Sequence, residues 1–138
     1  MPEETNQNEK HSLAVRRWAC LIHVSALAGA FYPYLPLVGP LLIWLFKRRS
    51  DPYIYEQGRS AVNFQLSMCI YYALASILVG ALKLFLVGFL LFWIPGLIRL
   101  FQVLLGLVGA LRAYDVEHFD YPFSIQFIKT PKVSSTEE

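Results

Sequence analysis

Long stretches without a charged residue alternate along this chain with short polar or proline-rich interruptions. No Asp, Glu, Lys or Arg occurs between Trp18 and Phe46, and none from Ser60 to Leu82. A helix needs about 20 apolar residues to cross a hydrocarbon core of about 30 Å, so these runs predict membrane helices. The first run is too long for one span and is broken at its centre, Gly29-Ala-Phe-Tyr-Pro33-Tyr-Leu-Pro36-Leu-Val-Gly39-Pro40. Proline lacks an amide donor and disfavours helix in the residue before it. The pattern therefore predicts a helical hairpin with arms at about 15–32 and 35–47. The second arm is only about 20 Å long at 1.5 Å per residue, so it either re-enters or thins the bilayer locally.

After Lys47-Arg48-Arg49, Asp51-Pro52 is a good N-cap and first-turn pair, and a third span is expected at about 60–82. The last apolar region contains Pro95-Gly96 and Arg99; it predicts a fourth span at about 88–111, kinked at Pro95. Residues 1–12 and 130–138 are polar and expected to be disordered. Between them, Tyr121-Pro-Phe-Ser-Ile-Gln-Phe-Ile alternates apolar and polar positions, as an extended segment across the bundle mouth would. The fold class expected is all-α: one domain, 13–129, forming a four-helix transmembrane bundle.

Composition strengthens this reading. The chain is 56% hydrophobic and 16% charged, against roughly 25% charged residues in soluble domains. Its acidic start is unlike the basic region of a cleaved signal peptide, so insertion is expected to use the helices themselves. With four crossings and both termini in the cytoplasm, ten of the twelve basic residues lie inside, Lys83 lies outside and Arg99 lies within the membrane. That distribution obeys the positive-inside tendency and predicts a multi-pass membrane protein, N-in and C-in. The same border positions explain the net charge of +2 without nucleic acid. Cys20 and Cys69 fall in apolar runs and suggest neither a disulfide framework nor a metal site.

Candidate chemistry lies in the polar residues that enter the apolar runs. The third span has one stripe of Ser60, Asn63, Ser67 and Tyr71, and another of Gln65, Cys69, Tyr72 and Ser76. Such residues either pack helix against helix, at about 0.6 kcal/mol per hydrogen bond, or line a pore or client groove. On the fourth span Arg99, Gln102, Gly106, Gly109 and Ala113 share one face; small residues let neighbouring backbones approach closely. An arginine at the centre of a span costs at least about 2.5 kcal/mol. No Asp or Glu lies in a predicted span, leaving carbonyls, amides, tyrosines or another subunit as its partner. A helix broken at Pro95-Gly96 would instead bring it nearer an interface. His23 reads as a hydrogen-bonded packing residue or a proton relay, with Ser25 and Gly29 forming a small-xxx-small pair. Glu56, among arginines at the cytoplasmic border, reads as a structural ion pair or a gating contact. HExxH, GxSxG, Walker loops and paired intramembrane aspartates do not occur, so neither an enzyme nor a cofactor is expected.

Four stretches together resemble one family: Arg17-Trp-Ala-Cys-Leu-Ile-His23-Val-Ser25-Ala-Leu-Ala-Gly29, Gly39-Pro40-Leu-Leu-Ile-Trp44-Leu-Phe-Lys47, Glu56-Gln57-Gly58-Arg59-Ser-Ala-Val-Asn63-Phe64-Gln65-Leu-Ser67, and Tyr121-Pro-Phe-Ser-Ile-Gln-Phe127-Ile. Their order and spacing are similar to the small bacterial membrane proteins of unknown function grouped with the four-span channel subunit of the chloroplast Tic translocon. The likeness covers about Arg16 to Lys129 and is most specific from Glu56 to Gln65. It implies a four-helix membrane bundle and, by extension, a part in protein translocation.

The reading that follows is a non-enzymatic subunit or assembly helper, embedded in lipid and contacting other membrane proteins or itself through spans three and four. A homo-oligomeric pore lined by Asn63, Ser67 and Tyr71, and a lipid- or small-molecule-binding protein, are the alternatives. Within this scheme Asp51 to Ser67 acts as a clasp joining the first hairpin to the third span.

Overall fold

The computed structural model of the chain describes residues 12–27, 32, 34–85, 87–117 and 119–129. Four helices make up most of it: α1 (Leu13–Ser25), α2 (Leu35–Lys47), α3 (Pro52–Leu82) and, after the one-turn α4 (Val87–Leu90), α5 (Ile94–Tyr114). No strand occurs among the described residues. Each long helix starts at a sequence-encoded cap or proline. The Ser12 hydroxyl accepts from Val15 N at 3.4 Å, the Asp51 carboxylate accepts from Tyr53 N at 2.7 Å, and prolines occupy the first turns of α2, α3 and α5. A missing N–H costs nothing there, because the first turn has no intrahelical acceptor for it.

The hairpin arm at 35–47 matches α2 residue for residue. Two features differ from expectation, the end of α1 and the break before Pro95. Helix α1 ends at Ser25 and passes into a single 3-10 turn at 26–27, so the first arm is shorter than 15–32; Gly29 lies outside the described residues. Helix α3 begins at Pro52, at the cap that Asp51-Pro52 forms, and runs through the stretch 60–82. The expected kink at Pro95 is a break: α4 ends at Leu90, the Trp93 indole donates to Leu90 O at 2.7 Å, and α5 starts afresh at Ile94. Pro95 opens a helix here instead of bending one.

Helices α1 and α3 form the centre, with α2 and α5 each packed on both. One cluster joins Ile22, Ile54 and Ala61 to Val15, Trp18 and Ile43; the other joins Phe64, Met68 and Tyr121 to Tyr71, Ile98, Leu105 and Phe119. The arms α1 and α2, 13 residues each, are about 20 Å long, and α3, with 31 residues, about 46 Å. The hairpin therefore reaches only part-way along α3. Tyr34 at the start of α2 meets Tyr72 edge-on at 6.4 Å, and beyond that level Leu74, Ile77 and Leu78 are exposed. There the segment 83–90 folds back on the end of α3, and a Cβ on Gly88 would strike Lys83 N and Val79 O.

Two stretches, Pro52–Phe85 and Val87–Tyr114, are long and apolar enough to cross a membrane, and only 11% of the most apolar window of each is buried. The core helix of a soluble protein would be mostly covered. Polar residues also lie inside, beside the two apolar clusters, while large apolar side chains lie outside. His23, Gln57, Arg59, Asn63, Gln65, Ser67 and Gln102 are buried, while Leu42, Leu78, Leu97, Leu100, Leu104, Leu107 and Leu111 are exposed. Exposed apolar surface on this scale needs a cover, and a polar interior in an apolar solvent must satisfy itself internally. At the end where α1 and α3 begin, Lys47 lies over the Trp18 ring at 4.5 Å, Arg48 over Trp44 at 5.6 Å and Arg16 over Tyr114 at 4.7 Å. Basic residues paired with aromatic rings are typical of a membrane border.

Candidate functional site

Beyond Tyr114 the chain turns back on itself. The Glu117 N–H bonds Arg112 O at 2.9 Å across a left-handed Val116 with φ 61°. This is the Schellman stop, with a β-branched residue where glycine is usual. The segment then runs back between α3 and α5, deeper than an extended strap across the mouth. At its tip, Ser124 N bonds Tyr121 O at 3.4 Å, closing a turn with Pro122 second and Phe123 third. Phe123, at φ 61°, again takes a conformation that favours glycine. Its ring lies 6.3 Å from that of Phe101, 13 residues or about 20 Å from the end of α5.

Helix α3 holds this segment through four side chains at steps of four, hence on one face. Arg59 donates to Ile128 O at 3.2 Å and to Gln126 Oε1 at 3.3 Å. The Asn63 amide donates to Ile128 O at 3.0 Å and accepts from Ile128 N at 2.9 Å. Ser67 Oγ accepts from Ile125 N at 2.7 Å while donating to Asn63 O at 2.8 Å, and the Tyr71 hydroxyl donates to Phe123 O at 2.9 Å. All but the Gln126 contact are to backbone. Irregular backbone in an apolar layer needs such partners, so the stripe of Asn63, Ser67 and Tyr71 is the bed of the C-terminal segment. Glu56 pairs with Arg59 at 2.6 Å, holding the guanidinium in line.

At the centre of the bundle, Tyr121 OH lies 2.6 Å from His23 Nδ1, and His23 Nε2 lies 3.1 Å from Gln57 Oε1. An amide oxygen only accepts, so the ring carries its proton on Nε2 and the tyrosine donates to Nδ1. Gln57 also bonds the Tyr53 hydroxyl, which donates to Ala113 O at 2.9 Å. One polar relay thus joins the C-terminal segment, α1, α3 and α5. Tyr121 stacks on Phe64 with centroids 4.1 Å apart and planes at 19°.

Small residues make room for these contacts. A Cβ on Gly109 would fall inside the Tyr121 phenol, and one on Gly58 inside the Trp44 indole. Trp44 Nε1 donates to Tyr55 O at 3.1 Å, so Gly58 and Trp44 are where α2 locks onto α3. Gly39 sits against Ser25, whose hydroxyl donates to Ile22 O at 2.7 Å. Ser25 therefore pairs with Gly39 across the hairpin. Gly106 is looser, its nearest neighbour Gln65 Nε2 at 3.9 Å from an added Cβ. Ala113 is fully buried.

Arg99 is accommodated within the chain. It donates to Gln102 Oε1 at 2.9 Å and to Tyr32 O at 3.2 Å, and its guanidinium lies 5.8 Å from the Tyr72 ring centroid. Gln102 in turn donates to Gln65 Oε1 at 2.5 Å. Amides, a carbonyl and a tyrosine receive the cation at the level of the hairpin tip.

Two cavities flank the segment. A polar one of about 390 Å³ opens at the mouth between Glu56, Arg59, Ser60, Asp120 and Ser124; an apolar groove of about 570 Å³ lies between α3 and α5, bounded by Met68, Leu100, Phe101 and Phe123. No group of three or more His, Cys, Asp or Glu converges as metal ligands would, among the described residues. Cys20 and Cys69 are free thiols.

Residues 14–128 match the model of the magnetosome magnetite crystal formation protein family. The chain belongs to that family. No curated protein and no solved structure matches it. The matched span runs from the first turn of α1 to Ile128, the residue that Arg59 and Asn63 hold, so it covers the returning segment as well as the helices. Family membership and the two spanning-length apolar stretches together support a membrane-associated protein. Sequence reasoning singled out His23, Gln57, Asn63 and Ser67 but passed over Tyr121, Trp44 and Tyr53. Trp44 and Tyr121 each lie against a buried glycine, Gly58 and Gly109, whereas Tyr53 is placed by its bonds to Gln57 and Ala113 O.

Proposed function

We propose that the protein is a non-enzymatic, multi-pass membrane helper in magnetite crystal formation, organising other membrane proteins or copies of itself. The observation that carries this is the internally satisfied polar network beneath an exposed apolar surface. The buried polar groups bond one another and the C-terminal segment, while the apolar surface of α3 and α5 is offered outward. Such a molecule is built to be surrounded by lipid and by neighbouring helices.

In this reading α3 and α5 cross the bilayer, and the short α1–α2 hairpin re-enters from the side of the termini. Arg99 and Tyr72 support the hairpin tip inside the layer. Both termini are placed in the cytoplasm, a side that the basic border residues favour. Among the described residues every carboxylate, Asp51, Glu56, Asp115, Glu117 and Asp120, lies at the terminal end, and the sequence from Gln57 to Tyr114 contains none. The far end, facing the crystal-forming lumen, therefore offers no carboxylate to an iron ion. This favours action through membrane organisation over direct templating of mineral. A role in protein translocation, implied by the motif resemblance to the Tic channel subunit, would use the same surface. A pore lined by Asn63, Ser67 and Tyr71 would first have to displace the segment that those side chains hold.

Deletion of the gene in a magnetite-forming bacterium tests the proposal. Crystals of altered size or number, with magnetosome proteins lost from the membrane fraction, are expected. Normal crystals and an unchanged membrane proteome would overturn it.

A further inference from the structure

We propose that the C-terminal segment 117–128 is exchanged between copies, docking on α3 of a second molecule in the same bed that it occupies in its own. The inference rests on the membrane placement above and is independent of the role in magnetite.

Three observations lead to it. First, Asn63, Ser67 and Tyr71 bind main-chain atoms of Ile128, Ile125 and Phe123, and Arg59 adds a further bond to Ile128 O. A second copy of the segment satisfies them identically. Second, the connection is short and conformationally unfavourable. Val116, a buried β-branched residue, adopts φ 61° directly after α5, a region that such side chains avoid. Short strained connections invite swapping, because the strain is released when the segment leaves its own body. Third, the bed cannot be left empty. With the segment gone, Asn63 would lose both bonds to Ile128, Ser67 its donor from Ile125, and Tyr71 its acceptor at Phe123, a costly loss at the buried Asn63 and Ser67. The chemically equivalent occupant within reach in a membrane is the same segment of a neighbour.

Exchange also uses the anchor at the head of the segment. The Tyr121 hydroxyl sits on His23 Nδ1 in the space above Gly109, a socket that any copy of Tyr121 fits. The outward side chains Phe123, Ile125 and Phe127 are exposed, so transfer buries no new mismatch.

The test uses full-length protein in native membranes, with Cys20 and Cys69 replaced by alanine. Ser60 and Ser124 line the same cavity. One chain bearing only Ser60→Cys is co-expressed with a differently tagged chain bearing only Ser124→Cys, and a short bis-thiol cross-linker is added. The double variant on one chain shows that the linker spans the cavity. A covalent heterodimer of the two single variants is the expected result. Inserting Gly-Ser-Gly after Glu117, which relaxes the connection, is expected to lower its yield several-fold. If the double variant links internally but the co-expressed singles never join, the exchange is wrong; if the double variant fails to link, the docking itself is wrong and the inference falls with it. Labelling of a Phe85→Cys variant by an impermeant thiol reagent from the outer side reports the membrane placement separately.

Discussion

The Tyr121 hydroxyl is one oxygen atom on which several elements depend. Replacing Tyr121 with phenylalanine keeps the stacking on Phe64 but leaves His23 Nδ1 as a buried acceptor without a donor. A loss of about 1–3 kcal/mol is expected, measurable as a lower unfolding midpoint in detergent. Gly109 and Gly106 offer a sharper comparison, since both lie on the small-residue face of α5. Gly109→Ala drives a methyl into the Tyr121 phenol and is expected to cost about 1–3 kcal/mol as overpacking. Gly106→Ala meets only ordinary contact at 3.9 Å, and should be neutral or gain up to about 1 kcal/mol from helix propensity. Equal effects from the two would show that Tyr121 does not sit over Gly109. The sequence marks both glycines as packing residues, but the difference between them depends on a side chain 12 positions beyond Gly109 that approaches from outside the helix.

At the scale of elements, the returning segment and α3 hold each other. Asn63→Leu removes two hydrogen bonds to Ile128, about 2 kcal/mol of local stability. Amide hydrogen exchange at Ile125 to Ile128 should then quicken by about 5–30-fold, with α3 itself little changed; unaltered exchange would refute the bed. Arg99→Met should instead loosen the hairpin tip by taking a donor from Tyr32 O, seen as faster thiol labelling of a Tyr34→Cys probe. Much at this scale is legible beforehand. The bounds of α2 follow from Pro36 and Lys47, and the start of α3 from the Asp51-Pro52 pair. The depth of residues 117–128 is not, because alternation along a strand-like stretch reports its two faces and says nothing of what lies opposite. Nor does the sequence distinguish Pro95 as a kink from Pro95 as a beginning. That choice is made by the tertiary fold-back of 83–90 onto α3.

For the molecule as a whole, orientation is the first quantity to measure. In the proposed orientation, reporters fused at either terminus should be active only in a cytoplasmic assay, and a tag inserted beside Lys83 only in an extracytoplasmic one. The opposite result would place the carboxylates of Asp115, Glu117 and Asp120 towards the mineral and reverse the functional reading. The uneven reach of the helices has a mechanical consequence. Near the termini, four helices and the returning segment share the cross-section. Beyond Tyr72, among the described residues, the last turns of α3, the folded-back stretch after it and the first turn of α5 continue. In the proposed orientation the described residues form a wedge, broad in the cytoplasmic leaflet and narrower in the other. In a vesicle whose outer, convex leaflet is the cytoplasmic one, that wedge fits the lateral pressure better the tighter the curvature. Reconstituted in that orientation, the protein should accumulate in the smallest liposomes of a mixed population.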